Sequence, residues 1–255
     1  MPHPQIIEVG EGVGLATYTW GDPDAPVVVI VHGFASNTRD NWVLTGWVRM
    51  LEHAGLRVLG IDLRGHGESE KPHDPEGYNV RTLAADVEQV LDTYLVDEAV
   101  YLGYSLGARV GWQVLRDLQD RIPRGVLGGV PDGIPLERLD LDQVQRLIDD
   151  GTPVTDPVTL DYIELTERAP ANHLPAPLAL AQRMRAPRTL HPAPPPPPSQ
   201  PVLSATGSPD AVIEESRRLV DACRQGTFFE IPGRHHFNAP GSKAFREAGL
   251  AFLQG

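Results

Sequence analysis

The sequence predicts a doubly wound α/β fold around a mostly parallel sheet, and three observations support that prediction. Val27–Val31 is a continuous β-branched run that ends at His32-Gly33, a pattern typical of a strand buried on both faces. Residues 57–62 and 99–103 repeat the apolar run with a glycine. Between these two runs, apolar side chains recur at helical spacing over residues 80–94. A strand, a helix and a second strand in this order form a crossover between parallel strands.

The other elements follow in the same alternating order along the chain. The helix after the first buried strand covers residues 42–54, with Gly55 as its C-terminal glycine. The helix at 106–118 follows the strand at 99–103. Further strands are predicted at residues 5–9, 15–20, 125–130, 202–206 and 227–231, and further helices at residues 211–223 and 241–253.

The alternation stops for about 70 residues after residue 130, which indicates an insertion. We expect residues 132–200 to form a small helical lid between late strands, and residues 1–131 and 201–255 to form the core. Asp140 and Asp156 precede apolar helical patterns and are candidate helix caps. Pro192 and residues 194–198 form a polyproline run, which we interpret as a stiff spacer rather than as a ligand for a peptide-binding domain.

Composition limits the classes of protein to which the chain can belong. The 255 residues are 41% hydrophobic and 22% charged, as in one ordinary globular domain. Asp and Glu number 34 against 22 Lys and Arg, and this net charge of -12 opposes binding to nucleic acid. Cys223 is the single cysteine, which excludes an intramolecular disulfide. Because neither a signal-like start nor an apolar run of membrane-spanning length occurs, we expect a cytoplasmic location without a membrane partner.

The segment Gly103-Tyr104-Ser105-Leu106-Gly107 is the first candidate for catalysis. It has the Gly-x-Ser-x-Gly pattern and lies between a predicted strand and a predicted helix, which is the context that a nucleophile elbow requires. The sharp turn raises the Ser105 hydroxyl above the edge of the sheet, and the helix begins directly beneath it. The sequence therefore predicts a reactive serine at position 105.

A second glycine turn follows the strand at 27–31. Gly33 allows the next amide to turn toward the nucleophile, so the Phe34 and Leu106 amides are the candidate donors of an oxyanion hole. We interpret His32 as a structural histidine that bonds to nearby backbone. The segment from Asp62 to Ser69 is interpreted as a folded polar loop rather than as a metal or phosphate site.

A serine nucleophile requires a base and a carboxylate that orients it. The strand at 202–206 leads to Asp210, and the strand at 227–231 leads to His235 and His236. These groups follow the carboxyl ends of their strands, where ligands bind in open α/β sheets. The order Ser, Asp, His is the one expected of a triad on such a sheet.

Five motifs in this order resemble those of the α/β-hydrolase superfamily, in its serine-hydrolase, esterase-like branch. They are His32-Gly33-Phe34, the segment 62–69, the turn at Ser105, residues 207–210 and residues 233–236. The resemblance implies a sheet of the α/β-hydrolase type with a helical lid. It implies that Ser105 is the nucleophile, that His236 is the base and that Asp210 is the acid, with the Phe34 and Leu106 amides as the oxyanion hole. Some relatives place the acid after an earlier strand, which makes Asp132 the alternative.

The activity that we expect is hydrolysis of a small or medium carboxylic ester through an acyl-enzyme. No metal or organic cofactor is expected, and Phe34, Tyr104 and Trp42 are candidate substrate contacts. A carbon–carbon bond hydrolase or a cofactor-free perhydrolase would use the same triad, and a slow-turnover ligand-binding or receptor protein could retain it. An epoxide hydrolase is disfavoured, because that chemistry requires a carboxylate nucleophile at the position of Ser105.

Overall fold

The computed structural model describes residues 1–132, 136–168, 171–185 and 196–255. Within these ranges, eight strands form one sheet in the order β1-β2-β4-β3-β5-β6-β7-β8. β1 and β2 pair antiparallel, β2 pairs antiparallel with β4, and every other neighbouring pair is parallel. The strands are β1 (Gln5–Val9), β2 (Val13–Trp20), β3 (Val27–Val31), β4 (Arg57–Ile61), β5 (Ala99–Tyr104), β6 (Gly125–Gly128), β7 (Val202–Gly207) and β8 (Gly226–Ile231).

Helices cover both faces of this sheet, as the doubly wound fold predicts. α1 and α8 contribute to a hydrophobic cluster on one face, and α2, α3 and α7 contribute to the cluster on the other. The helices within the described ranges are α1 (Trp47–His53), α2 (Val80–Thr93), α3 (Leu106–Asp117), α4 (Leu141–Asp150), α5 (Pro157–Arg168), α6 (Pro175–Met184), α7 (Ile213–Asp221) and α8 (Lys243–Gln254). No helix among the described residues is both long enough and apolar enough to cross a bilayer.

Strand β3 shows why its sequence is a continuous β-branched run. Successive side chains of a strand point to opposite faces of the sheet. Val29 and Val31 therefore lie in one hydrophobic cluster, whereas Val28 and Ile30 lie in the other. All four side chains are fully buried, which confirms the prediction of a strand covered on both faces.

The predicted helix at 42–54 is wrong in its first half. Residues Arg39–Val43 form a separate wide helical turn, closed by a hydrogen bond of 2.9 Å from the Leu44 amide to the Arg39 carbonyl. The chain then breaks at Gly46, whose φ is +85°, and α1 begins at Trp47. Trp42 and Trp47 are buried in the same cluster, so the apolar pattern continues across a break that only the backbone conformation shows.

The described part of the inserted segment forms three helices. Both predicted starts are confirmed, since Asp140 accepts a hydrogen bond from the Gln143 amide at 3.0 Å and Asp156 accepts one from the Thr159 amide at 2.8 Å. α6 was not predicted, and its prolines at 175 and 177 lie in the first helical turn, which tolerates proline. Half of the polyproline run lies outside the described residues, and its role as a spacer stays a prediction.

Candidate active site

Ser105 lies at a sharp turn between β5 and α3. Its backbone has φ +52° and ψ −110°, a left-handed conformation that is rare for a residue with a side chain. The helix begins so close to the neighbouring strand that a Cβ at Gly107 would lie 2.2 Å from the Val31 carbonyl oxygen. Only glycine therefore fits two positions after the serine, and the strained turn presents the Ser105 side chain at the carboxyl edge of the sheet.

The structure brings Ser105, His236 and Asp210 together from three separate strand ends. His236 Nε2 lies 2.9 Å from Ser105 Oγ, and His236 Nδ1 lies 2.8 Å from Asp210 Oδ2. Asp210 is buried, and its other oxygen accepts a hydrogen bond from the Val212 amide at 3.1 Å. An ionised carboxylate can only accept hydrogen bonds, so Nδ1 carries the proton and Nε2 is free to accept the Ser105 hydroxyl hydrogen.

Tyr104 supports the loop that carries His236. Its hydroxyl donates a hydrogen bond of 2.6 Å to the His236 carbonyl oxygen, and its ring packs 5.4 Å from the imidazole. Burial raises the pKa of the Tyr104 hydroxyl well above its usual value, so the hydroxyl stays a donor. The contacts of Tyr104 therefore point to support of the base loop rather than to contact with a substrate.

The two alternatives that the sequence left open lie apart from Ser105. His235 is exposed, and its nearest aromatic neighbour is Phe237 at 6.3 Å. Asp132 pairs with Arg218 through two contacts of 3.0 and 3.1 Å. His236 and Asp210 are thus the histidine and the carboxylate that the fold aligns with the serine.

The Phe34 and Leu106 amides are the candidate donors to an oxyanion. Leu106 is the first residue of α3, and Phe34 follows Gly33, where a Cβ would lie 3.3 Å from the Ser105 Cβ. The Gly33 amide donates to Asn41 Oδ1 at 3.0 Å, but neither the Phe34 nor the Leu106 amide has an acceptor among the described residues. Two free amides beside the serine hydroxyl can donate to a negative oxygen.

His32 holds the backbone behind these amides, as the sequence predicts. Its Nδ1 donates to the Gly33 carbonyl at 2.8 Å, and its Nε2 accepts from the Leu63 amide at 3.0 Å. Burial lowers the pKa of His32 to about 4. A neutral ring that uses both nitrogens fixes the turn and leaves no nitrogen for catalysis.

The loop after β4 is a folded polar loop rather than a metal site. Asp62 accepts hydrogen bonds from the amides of Thr38 at 2.7 Å and Glu68 at 3.0 Å. Arg64 forms a two-point ion pair with Asp86 in α2, with both distances at 2.7 Å and both side chains 1% exposed. Within the described ranges, no group of three or more His, Cys, Asp or Glu side chains is placed to hold a metal ion.

Two residues of the inserted segment, which sequence reasoning missed, approach the site. The Tyr162 ring in α5 lies 5.5 Å from Phe34 and 5.4 Å from Phe237, with both pairs edge to face. Asn172 donates to the Ala35 carbonyl at 3.2 Å and accepts from the Gly67 amide at 2.6 Å. Neither residue belongs to a motif, so only the tertiary structure could identify them.

Trp42, in contrast, belongs to the hydrophobic core. It is fully buried and packs edge to face on Trp47 at 5.8 Å, within the cluster beneath α1 and α8. Its aromatic side chain is part of the core, which is the usual place of a tryptophan in an apolar pattern. The aromatic surface beside Ser105 comes instead from Phe34, Tyr162 and Phe237.

Comparison with known proteins gives several partial matches. Epoxide hydrolase A of Mycobacterium tuberculosis is 34% identical over 133 residues, which are 51% of this chain and 39% of that protein. The bifunctional esterase/perhydrolase of Acinetobacter calcoaceticus is 32% identical over 142 residues, which are 51% of this chain and 50% of that protein. The chain thus spans about half or less of the length of these curated relatives.

Solved structures share the fold over nearly the whole chain. The enol-lactonase from Burkholderia xenovorans superposes with a TM-score of 0.78 at 22% identity and covers 98% of this chain and 100% of that one. An epoxide hydrolase from Vigna radiata gives a TM-score of 0.75 at 19% identity and covers 98% of this chain and 96% of that one. At these identities the likeness concerns the fold alone.

The sequence profile of the alpha/beta hydrolase fold matches residues 26–153, half of the chain. Taken with the eight-stranded sheet and its flanking helices, that match shows that the chain belongs to the α/β-hydrolase fold family.

Proposed function

We propose that this hydrolase cleaves a small or medium carboxylic ester through a covalent acyl-enzyme on Ser105. The observation that carries the proposal is the aligned pair of contacts from Ser105 Oγ to His236 Nε2 at 2.9 Å and from His236 Nδ1 to Asp210 Oδ2 at 2.8 Å. Such a chain of hydrogen bonds activates a hydroxyl that is otherwise a weak nucleophile.

In the first half of the reaction, Ser105 attacks the ester carbonyl while His236 Nε2 takes its proton. The carbonyl oxygen becomes negative and accepts hydrogen bonds from the Phe34 and Leu106 amides. Asp210 stabilises the positive imidazole, which then gives its proton to the leaving alcohol. In the second half, His236 takes a proton from water as the water oxygen attacks the acyl carbon, and it returns that proton to Ser105 Oγ as the bond to the acyl group breaks and the acid leaves.

The serine itself favours an acyl substrate over an epoxide, despite the epoxide hydrolases among the relatives. A carboxylate that opens an epoxide forms an ester, and water can hydrolyse that ester at its carbonyl. A serine that opened an epoxide would form an alkyl ether, which has no carbonyl carbon for water to attack. Ser105 could therefore not be regenerated, whereas an acyl group on Ser105 is released by the reverse of its formation.

The aromatic side chains beside the triad support a limited acyl size. Phe34, Tyr162 and Phe237 come from three different segments and pack edge to face within 5.5 Å of one another in consecutive pairs. Their apolar surface suits an uncharged acyl chain. We propose that residues 132–200 act as a lid over this surface, with Tyr162 and Asn172 as its contacts on the core.

Perhydrolysis is the second candidate, because one relative is named an esterase/perhydrolase and another, from Streptomyces lividans, a non-heme chloroperoxidase. The same acyl-enzyme would then be cleaved by hydrogen peroxide instead of water. Peracid formation from a short acid and peroxide, measured against hydrolysis of the matching ester, separates the two activities.

The central test combines labelling with turnover. A fluorophosphonate should add to one serine per chain, and peptide mass spectrometry should place it on Ser105. Nitrophenyl esters of increasing acyl length should then be hydrolysed with many turnovers, and Ser105→Ala should lose roughly a millionfold in rate. Labelling of Ser105 without turnover would favour a ligand-binding protein, and no labelling would overturn the triad.

A further inference from the structure

Two exposed histidines face each other where the inserted segment meets the core. His73 lies in the loop between β4 and α2, and His173 lies between α5 and α6. Their Nε2 atoms are 3.5 Å apart, although the residues are 100 positions apart in the chain. The ring centroids are 5.0 Å apart, and the ring planes meet at 74°.

This geometry is poor for a direct hydrogen bond between the rings. N–H donors lie about 2.7–3.2 Å from their acceptors, and the bond prefers a nearly straight arrangement. Two imidazoles aligned head to head at an N–N distance of 3.5 Å would have centroids about 5.8 Å apart, since each nitrogen lies about 1.15 Å from its ring centre. The observed 5.0 Å is shorter than that value, so the two rings are not aligned head to head.

The two separations match those of two histidines that bind one tetrahedral metal ion. Zn²⁺ binds histidine nitrogen at about 2.0–2.1 Å, and two ligands at the tetrahedral angle are then about 3.3–3.4 Å apart. If each ring centre lies about 1.15 Å beyond its nitrogen on the line from the ion, the two centroids are about 5.2 Å apart. The observed nitrogen and centroid separations of 3.5 and 5.0 Å both agree with these values to about 0.2 Å.

We propose that His73 and His173 form a two-histidine site for a divalent transition metal such as Zn²⁺, which joins the inserted segment to the core. Both side chains are exposed, so water can complete the coordination. The site is separate from the triad and takes no part in the ester chemistry. With two protein ligands, we expect affinity in the micromolar range rather than that of a structural site with four ligands.

The neighbouring charges include one cation, because burial, His73 and Lys71 together lower the pKa of His173. The Lys71 ammonium, the cation nearest along the loop, donates to the Gly67 and Ser69 carbonyls at 2.7 and 2.8 Å, which hold it against its own loop. The Asp74 carboxylate accepts from the Glu76 amide at 2.9 Å, and Glu76 lies 3.5 Å from Arg183.

The position of the site gives the metal a structural consequence. Asn172 precedes His173 and bonds to Ala35 and Gly67, and Ala35 follows Phe34 of the proposed oxyanion hole. A metal at His173 would fix the chain next to these two hydrogen bonds. We therefore expect bound metal to stabilise the contact between the inserted segment and the loop that contains Phe34.

The test uses the full chain without an affinity tag, titrated with Zn²⁺ in a calorimeter and with Co²⁺ in the visible spectrum. One ion should bind per chain, and the intense absorption of four-coordinate Co²⁺ should appear. His73→Ala and His173→Ala should each weaken binding at least tenfold, while the exposed His53 serves as the matched control in His53→Ala. A hundredfold excess of Zn²⁺ over its dissociation constant should raise the melting temperature of the wild type by roughly 5 °C, but not that of the two variants.

Three outcomes would overturn the proposal. The first is that no ion binds up to millimolar Zn²⁺. The second is that both alanine variants bind as tightly as the wild type, which would place the ion on other histidines such as His236. The third is that only one of the two variants weakens binding, because a bridging ion requires both nitrogens.

Discussion

The Tyr104 hydroxyl bonds at 2.6 Å to the carbonyl oxygen of His236, so the residue before the candidate nucleophile holds the loop of the candidate base. The two residues are 132 positions apart in the chain. Because Tyr104 is the last residue of β5, any shift of that strand end moves the serine and the histidine together. Their distance is set by this one contact as well as by their own hydrogen bond.

Tyr104→Phe should therefore slow acylation by roughly tenfold while leaving KM nearly unchanged, because one hydrogen bond that positions the base is lost. The ring remains, so the fold should persist. Single-turnover kinetics with an activated ester measure the effect. Tyr78→Phe is the matched control, since the buried Tyr78 also donates to a backbone carbonyl at 2.6 Å, that of Pro72. Equal effects of the two variants on acylation would contradict a positioning role for Tyr104.

The acid should be Asp210, and Asp210→Asn should lower turnover by up to roughly ten-thousandfold through loss of the correct His236 tautomer. Asp132→Asn is the control, because Asp132 pairs with Arg218 at the surface instead. It should keep turnover close to that of the wild type, since exposed ion pairs contribute about 0–1 kcal/mol to stability. Loss of activity in Asp132→Asn alone would move the acid to that strand end.

Alanine variants of the two adjacent histidines should differ strongly in the rate of acylation. His236 lies in a turn that a hydrogen bond of 3.1 Å from the Asn238 amide to the His235 carbonyl closes, and of the two histidines His236 bonds to Ser105. His236→Ala should abolish acylation by an activated ester, and His235→Ala should retain most of it. The opposite result would shift the base by one residue.

Tyr162 should limit the acyl length. Tyr162→Ala removes the ring between Phe34 and Phe237, so the rate on octanoate relative to acetate esters should rise by roughly tenfold. Leu160→Ala is the control on the same helix, because Leu160 is 38% exposed. The ratio of kcat/KM values for the two esters measures the effect, and an unchanged ratio in Tyr162→Ala would remove this residue from the substrate site.

Two buried histidines should make the fold sensitive to acid. Burial, together with the neighbouring His32 ring, lowers the pKa of His66 to about 3, and burial lowers that of His32 to about 4. Unfolding returns both to about 6.5, so the unfolded chain binds more protons and stability falls as the pH falls from about 6.5 toward 4. Each of the two histidines should lower the free energy of unfolding by about 2 kcal/mol between pH 7 and pH 5.

Urea unfolding of wild type and His66→Gln at both pH values measures this effect. Glutamine does not titrate in this range, so the loss of stability between pH 7 and pH 5 should be about 2 kcal/mol smaller in the variant. The comparison removes the contribution of groups common to both proteins, including buried Asp62, whose pKa is raised by burial and which acts in the opposite direction. If wild type and variant lose the same stability between pH 7 and pH 5, His66 takes up its proton at the same pH in the folded and the unfolded chain, and the prediction is wrong.

The strands and the candidate triad could be predicted because their signals are local. A β-branched run such as β3, and a serine between two glycines after a strand, each identify an element from a few neighbouring residues. The order of strand ends then places Asp210 and His236 beside Ser105, since parallel strands share one carboxyl edge.

The remaining features depend on contacts that no local pattern contains. The break at Gly46 interrupts an apolar pattern that continues on both sides of it, because the flanking tryptophans enter one cluster. Tyr162 and Asn172 reach the core across more than 100 residues of chain, and the Asn172 contacts with Ala35 and Gly67 span 137 and 105 positions. From the sequence alone, Trp42 could belong to the core or contact a substrate, and its burial in the structure decides for the core.

Strand β3 places a constraint on how the chain unfolds. Its side chains belong alternately to the two hydrophobic clusters, so this one strand contributes buried side chains to both. If β3 leaves the sheet, both clusters lose packing contacts at the same time. We therefore expect the two clusters to lose their order together, as a single cooperative unit.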